Sequence, residues 1–238
     1  MAQLRRGELQ AIVLRGVYSE PQMAVTVDRL QRHDPPFLKT WFPEAFRAWF
    51  YGRNINLADV DLAGYFDEAA VFNAQLTTLL AHGPDLASRV GCVLAALDNG
   101  RPHTAAPGPL PGQHYMFTTL RAHVEHGYIP AHFDNEMRLR PAYRHLASLV
   151  DEQITSFVLT LSPGDGGGAL EVFDLCCPTQ HAQLLSDDRV PRPALDGLAS
   201  VRFRLPPGAM IVLDSGRYLH RVTRVVGRRT RWTACSFM

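Results

Sequence analysis

The feature that most constrains the fold is an abrupt change of texture at residues 101–112, RPHTAAPGPLPG, where four prolines and two glycines stand together. Such a segment continues neither a helix nor a strand, and it predicts a loop or linker. Before it, apolar residues recur at helical spacing; after it, short apolar runs alternate with turns. We therefore predict a helical support region over residues 1–100 and a β-rich core over residues 113–238, which together form one compact unit.

Three helices are predicted in the first hundred residues. Ser19 and Gln22 have the spacing of a capping box, and apolar residues at helical spacing follow them. A second helix is predicted over residues 67–81. Asp85 is an N-cap candidate for the third helix, which an Asn-Gly pair ends at Gly100. The apolar stripes of these helices indicate core packing and carry no functional signal.

The C-terminal half contains at least six short runs that are typical of β-strands and are separated by turn residues. They cover residues 116–124, 154–161, 169–173, 201–205, 209–213 and 231–237. A helix that begins near Pro141 interrupts them, and the glycine-rich residues 164–168 predict a tight turn. Many short strands with polar turns favour a sandwich or barrel. We predict a jelly roll, in an α+β chain that is mainly β with N-terminal helices.

Charge and cysteine content exclude several classes of protein. The net charge is +1 at pH 7 and the sequence pI is about 7.8, so no overall field draws the chain to nucleic acid or to an anionic membrane. No apolar run is long enough to span a bilayer. Four cysteines without a CxxC pattern are too few for a disulfide scaffold. We predict a cytoplasmic protein with reduced thiols and without nucleic-acid or membrane partners.

The segment that carries chemistry is His132-Phe-Asp134. Residues two apart on a strand point to the same side, so an imidazole and a carboxylate would be presented together. A third metal ligand must come from elsewhere, and His220, which follows a predicted strand near the end of the chain, is the best candidate. Two histidines and one carboxylate leave three open positions on a metal, which is the arrangement of non-haem Fe(II) oxygenases.

Two alternatives stand beside this interpretation. His123 and His126 precede the motif and could be rival ligands, but their spacing on a strand puts them on opposite faces. The run Gly164-Asp-Gly-Gly-Gly168 resembles a phosphate-binding loop in its glycine content. It lacks a following lysine and a helix signal, and so a hairpin turn is the better interpretation.

The combination of motifs, in this order, resembles the Fe(II)/2-oxoglutarate-dependent dioxygenases, especially the branch that contains the prolyl hydroxylases. The resemblance covers roughly residues 113–238 and rests on the stretches HFDNE, GGAL, PPGAMIVLDS and HRVTRVVGRR. It implies a double-stranded β-helix, a jelly roll like that of the cupins, with His132, Asp134 and His220 as ligands of Fe(II). It also implies 2-oxoglutarate as cosubstrate and O2 as oxidant.

The resemblance further implies an arginine on the last strand that pairs with the distal carboxylate of 2-oxoglutarate. Arg231 with Thr233 fits the family pattern best, since Arg231 lies eleven residues after the late histidine. Arg229, two residues earlier and at a Gly-x-Arg spacing, is the alternative, and the two arginines would share a strand face. For the main substrate, Arg121 is a candidate contact for an anionic group, and Glu136 is a candidate beside the metal.

The activity implied by the resemblance is hydroxylation of an unactivated C–H bond, with release of succinate and CO2. Related halogenases have a small residue in place of the carboxylate ligand, which vacates a position for chloride, and Asp134 fills that position here. We expect a small amino acid or an amino-acid-derived metabolite as substrate. The alternatives are a protein or peptide side chain, a cupin-like metalloprotein that does not use 2-oxoglutarate, and a metal-binding sensor domain. The oligomeric state is not predicted.

Overall fold

The computed structural model describes residues 1–55, 62–80, 83–135, 140–149, 153–176 and 195–238. The helices are α1 Ala2–Arg5, α2 Glu20–Gln31, α3 Ala63–Thr78, α4 Leu86–Leu97 and α5 Arg144–Ala147, and a 3-10 helix spans Pro141–Tyr143. The strands are β1 Ala11–Leu14, β2 Lys39–Phe42, β3 Ala48–Tyr51, β4 Thr119–His123, β5 Ile129–His132, β6 Ser156–Pro163, β7 Gly166–Gly167, β8 Leu170–Cys176, β9 Ser200–Phe203, β10 Met210–Leu213, β11 Tyr218–Val222, β12 Val225–Val226 and β13 Arg231–Phe237.

The strands form two main antiparallel sheets. The large sheet has the order β1-β10-β6-β13-β4-β3-β2, and the small sheet has the order β5-β11-β8-β9. The short strands β12 and β7 pair with each other as a separate two-stranded sheet. Strands that are distant in sequence are neighbours in both sheets, as a jelly roll requires. The predicted fold is confirmed.

The long helices begin and pack as their sequences predict. The Ser19 hydroxyl accepts a hydrogen bond from the backbone N–H of Gln22, and the Gln22 side chain accepts one from the backbone N–H of Ser19, which completes the capping box of α2. Asp85 caps α4 through the backbone N–H of Ser88 at 3.0 Å. Among the described residues, no helix has both the length and the apolar character needed to cross a bilayer.

One continuous core lies between the helices and the outer face of the large sheet. The helices contribute buried Leu30, Leu76 and Leu94, and strands β4 and β13 contribute Leu120 and Trp232. Because alternate residues of a strand point to opposite faces, the remaining positions of β4 and β13 point inward, toward the small sheet. The large sheet thus has a helix-covered face and a cavity-lining face.

The first hundred residues are less helical than predicted, since they also contribute β1, β2 and β3 to the large sheet. Strand β1 pairs with β10 along its whole length, and the β2–β3 hairpin extends the opposite edge. The hairpin is rich in aromatic residues, among them Trp41, Trp49 and Phe50, and such residues favour strands. The helix predicted at 67–81 runs from Ala63 to Thr78, and residue 81 lies outside the described residues.

The proline-rich segment at 101–112 contains neither a helix nor a strand, as predicted, but it is not a free linker. A Cβ at Gly91 of α4 would lie 2.5 Å from the carbonyl oxygen of His103, so the segment lies directly on this helix. Its end is held by a β-bridge between Pro107 and His114. The segment forms one wall of the cavity described below.

Candidate metal centre

The two predicted histidine ligands are direct neighbours across the small sheet. His132 is the last residue of β5, and the register of β5 and β11 places it opposite His220. Directly opposite residues in an antiparallel pair project to the same face. The centroids of the two imidazole rings are accordingly 4.3 Å apart.

Asp134 joins the histidines by a different route from the one predicted. Strand β5 ends at His132, so the two side chains do not share a strand face as the sequence suggested. The backbone N–H of Asp134 donates to the carbonyl of Ser215 at 3.0 Å, which folds the chain back over β11. The carboxylate then lies 3.4 Å from Nε2 of His132 and 3.8 Å from Nε2 of His220.

Main-chain carbonyls orient both imidazole rings. Nδ1 of His132 lies 2.8 Å from the carbonyl oxygen of Pro130, and Nδ1 of His220 lies 3.0 Å from that of Tyr218. A carbonyl oxygen can only accept a hydrogen bond, so Nδ1 carries the proton in each ring. In the neutral form of each ring, which is the form that binds a metal, Nε2 is then unprotonated, and both Nε2 atoms face the carboxylate of Asp134.

The charge states of the cluster suit a metal ion. Burial, with the neighbouring His132 acting in the same direction, lowers the pKa of His220 to about 4, so His220 is neutral at pH 7. Burial alone would raise the pKa of Asp134, but His220 and His132 outweigh this effect, and the net shift is downward. Asp134 is therefore ionised although it is only 3% exposed.

Two unprotonated nitrogens and an ionised carboxylate are all acceptors, and acceptors that face one another need a cation between them. The three donor atoms lie within 4.8 Å of one another. Among the described residues, this is the only group of three or more His, Cys, Asp and Glu side chains in which this is so. Its donor set fits a non-haem Fe(II) ion.

The inner face of the large sheet lies across a cavity of about 670 Å³ from this cluster. Arg231 and Thr233, two residues apart on β13, both line the cavity. The stem of Arg231 lies against Gly168, where a Cβ would come within 2.6 Å of its Cδ. Burial lowers the pKa of Arg231 to about 10, so the guanidinium is still charged at pH 7, and it has no acidic partner among the described residues.

Arg229 lies outside this cavity. It precedes β13, and its exposed guanidinium pairs with Asp165, at 3.3 Å from Nε to Oδ1. The expectation that Arg229 and Arg231 share a strand face is therefore wrong, because the strand begins only at Arg231.

The structure places the two substrate candidates differently. Arg121 on β4 is opposite Thr233 on β13 and lines the same cavity. Glu136 lies outside the described residues. Tyr143, which sequence reasoning missed, also lines the cavity, and its hydroxyl is buried without a hydrogen-bond partner among the described residues. No motif marks this tyrosine, because it enters the cavity from the 3-10 helix after the ligand segment.

The rival histidines lie outside the cluster. His123 is fully buried in β4, opposite Arg231, and its ring packs edge-on against Phe50. Burial lowers its pKa well below the usual range, with the charges of Arg231 and Arg121 acting in the same direction. His126 is exposed in the loop before β5.

A jelly roll with two histidines and one carboxylate at its inner face defines the class of Fe(II)/2-oxoglutarate-dependent oxygenases, as the sequence motifs predicted. Within this class, the sequence model of the carrier-protein-independent halogenase WelO5 matches residues 1–238, and the chain belongs to that family. None of the curated proteins compared with the chain is significantly similar to it.

Solved structures share the fold at low sequence identity. An N-substituted L-amino acid dioxygenase from Burkholderia ambifaria AMMD is 16% identical, with a TM-score of 0.57 over 99% of this chain and 85% of that one. A 2-oxoglutarate-Fe(II) oxygenase-family protein from Burkholderia pseudomallei is also 16% identical, with a TM-score of 0.50 over 99% and 86%. A prolyl hydroxylase from Trichoplax adhaerens, in complex with a peptide fragment, is 12% identical, with a TM-score of 0.51 over 98% and 84%.

Proposed function

We propose that this protein is an Fe(II)- and 2-oxoglutarate-dependent hydroxylase of a small organic substrate, an amino acid or an amino-acid derivative, and that it releases succinate and CO2. The observation that carries the proposal is the carboxylate of Asp134, which faces the Nε2 atoms of two imidazoles at 3.4 and 3.8 Å. Together these residues supply three ligands on one side of a metal and leave three positions open.

His132, Asp134 and His220 hold the iron in this proposal. The bound metal supplies the activation of O2 and the oxidation of the substrate C–H bond. The protein orients the ligands, because the hydrogen bonds from Nδ1 to Pro130 and Tyr218 keep both Nε2 atoms directed at the metal position. Asp134 and His220 are buried and His132 is partly buried, which limits the access of water to this position.

Arg231 holds the distal carboxylate of 2-oxoglutarate, and Thr233 supports it with a hydroxyl. The support for this assignment is the position of a buried, charged guanidinium in the cavity without an acidic partner among the described residues. The planar fork of an arginine matches a carboxylate in two parallel hydrogen bonds. Arg229, the alternative, is engaged with Asp165 at the surface.

The family membership makes halogenation the second candidate reaction. The presence of a third protein ligand favours hydroxylation, since a metal that His132, Asp134 and His220 hold would have fewer open positions than one that two histidines hold. A halide would need a further position, which the carboxylate of Asp134 takes. Asp134 is therefore the residue that decides between the two reactions.

The substrate assignment rests on the size of the cavity. A cavity of about 670 Å³ accommodates 2-oxoglutarate together with a second molecule of amino-acid size or somewhat larger. The similarity in fold to an N-substituted L-amino acid dioxygenase also supports an amino-acid substrate. A peptide side chain, as in the Trichoplax complex, is the runner-up, and a metalloprotein without 2-oxoglutarate is the alternative outside this mechanism.

The test is succinate formation from 2-oxoglutarate with Fe(II), with and without a panel of free and N-substituted amino acids, in chloride buffer. We expect substrate-stimulated succinate and a product heavier by one oxygen in mass spectrometry. Asp134→Gly is the matched variant, since only this variant has a vacant position for chloride. A chlorinated product from the native protein contradicts the proposed reaction, and absence of succinate in every reaction of the panel, including the reaction without amino acid, contradicts the class of cosubstrate.

A further inference from the structure

The cavity contains a second inward-facing arginine that the proposed binding of 2-oxoglutarate does not use. Arg121 lies on β4 opposite Thr233, so its side chain projects from the same sheet face as that of Arg231. Its guanidinium carbon lies 5.0 Å from the ring centroid of Phe50. The proximity of Arg121 contributes to lowering the pKa of Arg231, after the larger effect of burial, which indicates that the two charges are close.

Arg121 has no acidic partner among the described residues, and its Nε is buried without a hydrogen-bond partner there. Other arginines along the cavity wall are paired: Arg5 with Asp98, and Arg53 with Glu68. A buried donor without an acceptor costs roughly 1–3 kcal/mol. A bound acceptor would remove this cost.

Tyr143 supplies a second unused donor near the metal cluster. It is 3% exposed, and its hydroxyl has no partner among the described residues. Burial raises the pKa of Tyr143, and the negative charge of Asp134 raises it further, so the phenol stays protonated. A phenol hydroxyl can donate a hydrogen bond, and Tyr143 lines the same cavity as Asp134 and Arg121.

A count of charges indicates what the donors bind. Fe(II) and Arg231 contribute three positive charges, and Asp134 and 2-oxoglutarate contribute three negative charges, so the proposed machinery is neutral by itself. Of the other arginines that line the cavity, Arg5 and Arg53 pair with carboxylates, and Arg101 and Arg140 also have partners. Arg121 therefore adds a positive charge that the proposed machinery does not compensate, and Asp134 is the only acidic residue among the described residues that line the cavity. An uncompensated buried charge is unfavourable. A substrate with one negative charge restores neutrality.

The aromatic residues beside Arg121 indicate the rest of the substrate. Phe42, Phe46 and Phe50 form one cluster, with ring centroids 4.4–6.0 Å apart, and all three line the cavity. This cluster comes from the β2–β3 hairpin and the turn between its strands, and it adjoins the guanidinium through Phe50. An apolar or aromatic group attached near a carboxylate would contact both.

We propose that Arg121 and Tyr143 bind a carboxylate of the main substrate, and that Phe42, Phe46 and Phe50 receive an apolar group next to it. The inference rests on the proposed function and names its substrate class, a carboxylic acid with an apolar substituent. In this arrangement, Arg231 binds 2-oxoglutarate and Arg121 binds the main substrate.

The test is calorimetric titration, under nitrogen, of the protein loaded with Fe(II) and 2-oxoglutarate. The probes are N-acetyl-L-phenylalanine and phenylacetate, each compared with its neutral amide. We expect at least one acid to bind native protein more tightly than its amide. Arg121→Gln should weaken binding of that acid roughly tenfold to a hundredfold, the loss of a charge-assisted hydrogen bond, and should leave the amide unaffected. Tyr143→Phe should give a smaller loss, and Arg121→Lys should recover part of the binding.

Arg224→Gln is the matched control, because Arg224 lies over the ring of Tyr128 at 4.8 Å but is exposed and outside the cavity. This variant should bind the probes as native protein does.

Titration of 2-oxoglutarate into each variant separates the hypotheses. If Arg121→Gln weakens 2-oxoglutarate instead of the acid, or if no acid is preferred over its amide, the inference is wrong while the proposed function stands. If native protein binds no 2-oxoglutarate, the proposed function itself fails. Thermal melting of each variant checks that it is folded.

Discussion

Strand β11 carries two charged clusters on its opposite faces, and they differ in whether they are complete. On the outer face, Arg221 donates to Glu171 at 2.6 Å, and Arg202 and Ser200 donate to the same carboxylate at 2.8 and 2.9 Å. On the inner face, Nε2 of the adjacent residue His220 faces the carboxylate of Asp134, which is also a hydrogen-bond acceptor. In the outer cluster, protein donors alone form hydrogen bonds to the buried carboxylate of Glu171. In the inner cluster, the buried carboxylate of Asp134 needs a bound cation.

The comparison teaches which charged groups serve stability and which serve binding. A buried carboxylate with donors on both oxygens contributes to folding without any ligand. A buried group without a partner costs folding energy, and it is retained where a ligand completes it. By this criterion the outer cluster is structural, and we propose that the inner cluster, with Arg231 and Arg121 across the cavity, is functional.

The largest expected effect comes from removing an inner ligand. His132→Ala, Asp134→Ala and His220→Ala should each abolish turnover, because a metal held by two ligands is bound weakly and misoriented. The folded state should survive, since the ligands contribute little to the core without a metal. Succinate formation measures turnover, iron content measures metal binding, and circular dichroism measures the folded state. Full activity with unchanged iron in any one variant removes that residue from the site.

The second effect concerns Arg231, on the opposite wall. Arg231→Ala should raise the 2-oxoglutarate concentration for half-maximal rate roughly tenfold to a hundredfold, from the loss of a charge-assisted hydrogen bond. Lysine should recover only part, because it lacks the planar fork. Arg229→Ala is the control, since that side chain is exposed and pairs with Asp165. A larger effect in the control than in Arg231→Ala would reverse the assignment.

The outer cluster should show the opposite behaviour. Glu171→Gln should lower the free energy of unfolding by about 2 kcal/mol, because charge-assisted hydrogen bonds to a buried carboxylate are lost. Iron binding and 2-oxoglutarate dependence should be unchanged. Urea denaturation of the metal-free protein measures the first quantity, and Arg202→Gln, whose side chain is 64% exposed, should cost less. Loss of iron without loss of stability would contradict the separation of the two faces.

A smaller effect is expected from a third complete cluster, where Arg5 and His103 donate to Asp98. Hydrogen bonding from Arg5 lowers the pKa of Asp98 from 3.8 to about 2. The resulting stability is fully present above about pH 4 and is lost as the pH falls toward 2, with a total of about 2 kcal/mol at most. Denaturation between pH 5 and 2 should therefore show a smaller pH slope in Asp98→Asn. An unchanged slope would show that other carboxylates account for the acid sensitivity.

Those parts of the fold with strong local signals could be predicted from the sequence. The capping box at Ser19, the N-cap at Asp85 and the apolar run of β6 each specify an element through neighbouring residues. Strands β1, β2 and β3 were missed, because four-residue segments carry little periodicity and are stabilised by pairing with distant strands. The signal for β2 and β3 was the density of aromatic residues between residues 39 and 51.

The clustering of His132, Asp134 and His220 could be predicted because their types and order are distinctive, although the reasoning about Asp134 was wrong in detail. Its position depends on a main-chain hydrogen bond to Ser215, eighty-one residues later, which no local pattern reveals. The place of Arg231 relative to Arg229 depends on where β13 begins. Tyr143 reaches the cavity through tertiary packing alone.

The hydrogen bonds that orient the two ligating histidines have a consequence for how such an enzyme can be altered. Each Nδ1 donates to a carbonyl two residues earlier in its own strand, and every residue type has a carbonyl. Substitution of Pro130 or Tyr218 therefore does not remove the acceptor. The cavity walls can be rebuilt for a new substrate while the reactive centre keeps its alignment, so selectivity and reactivity are separately adjustable in this chain.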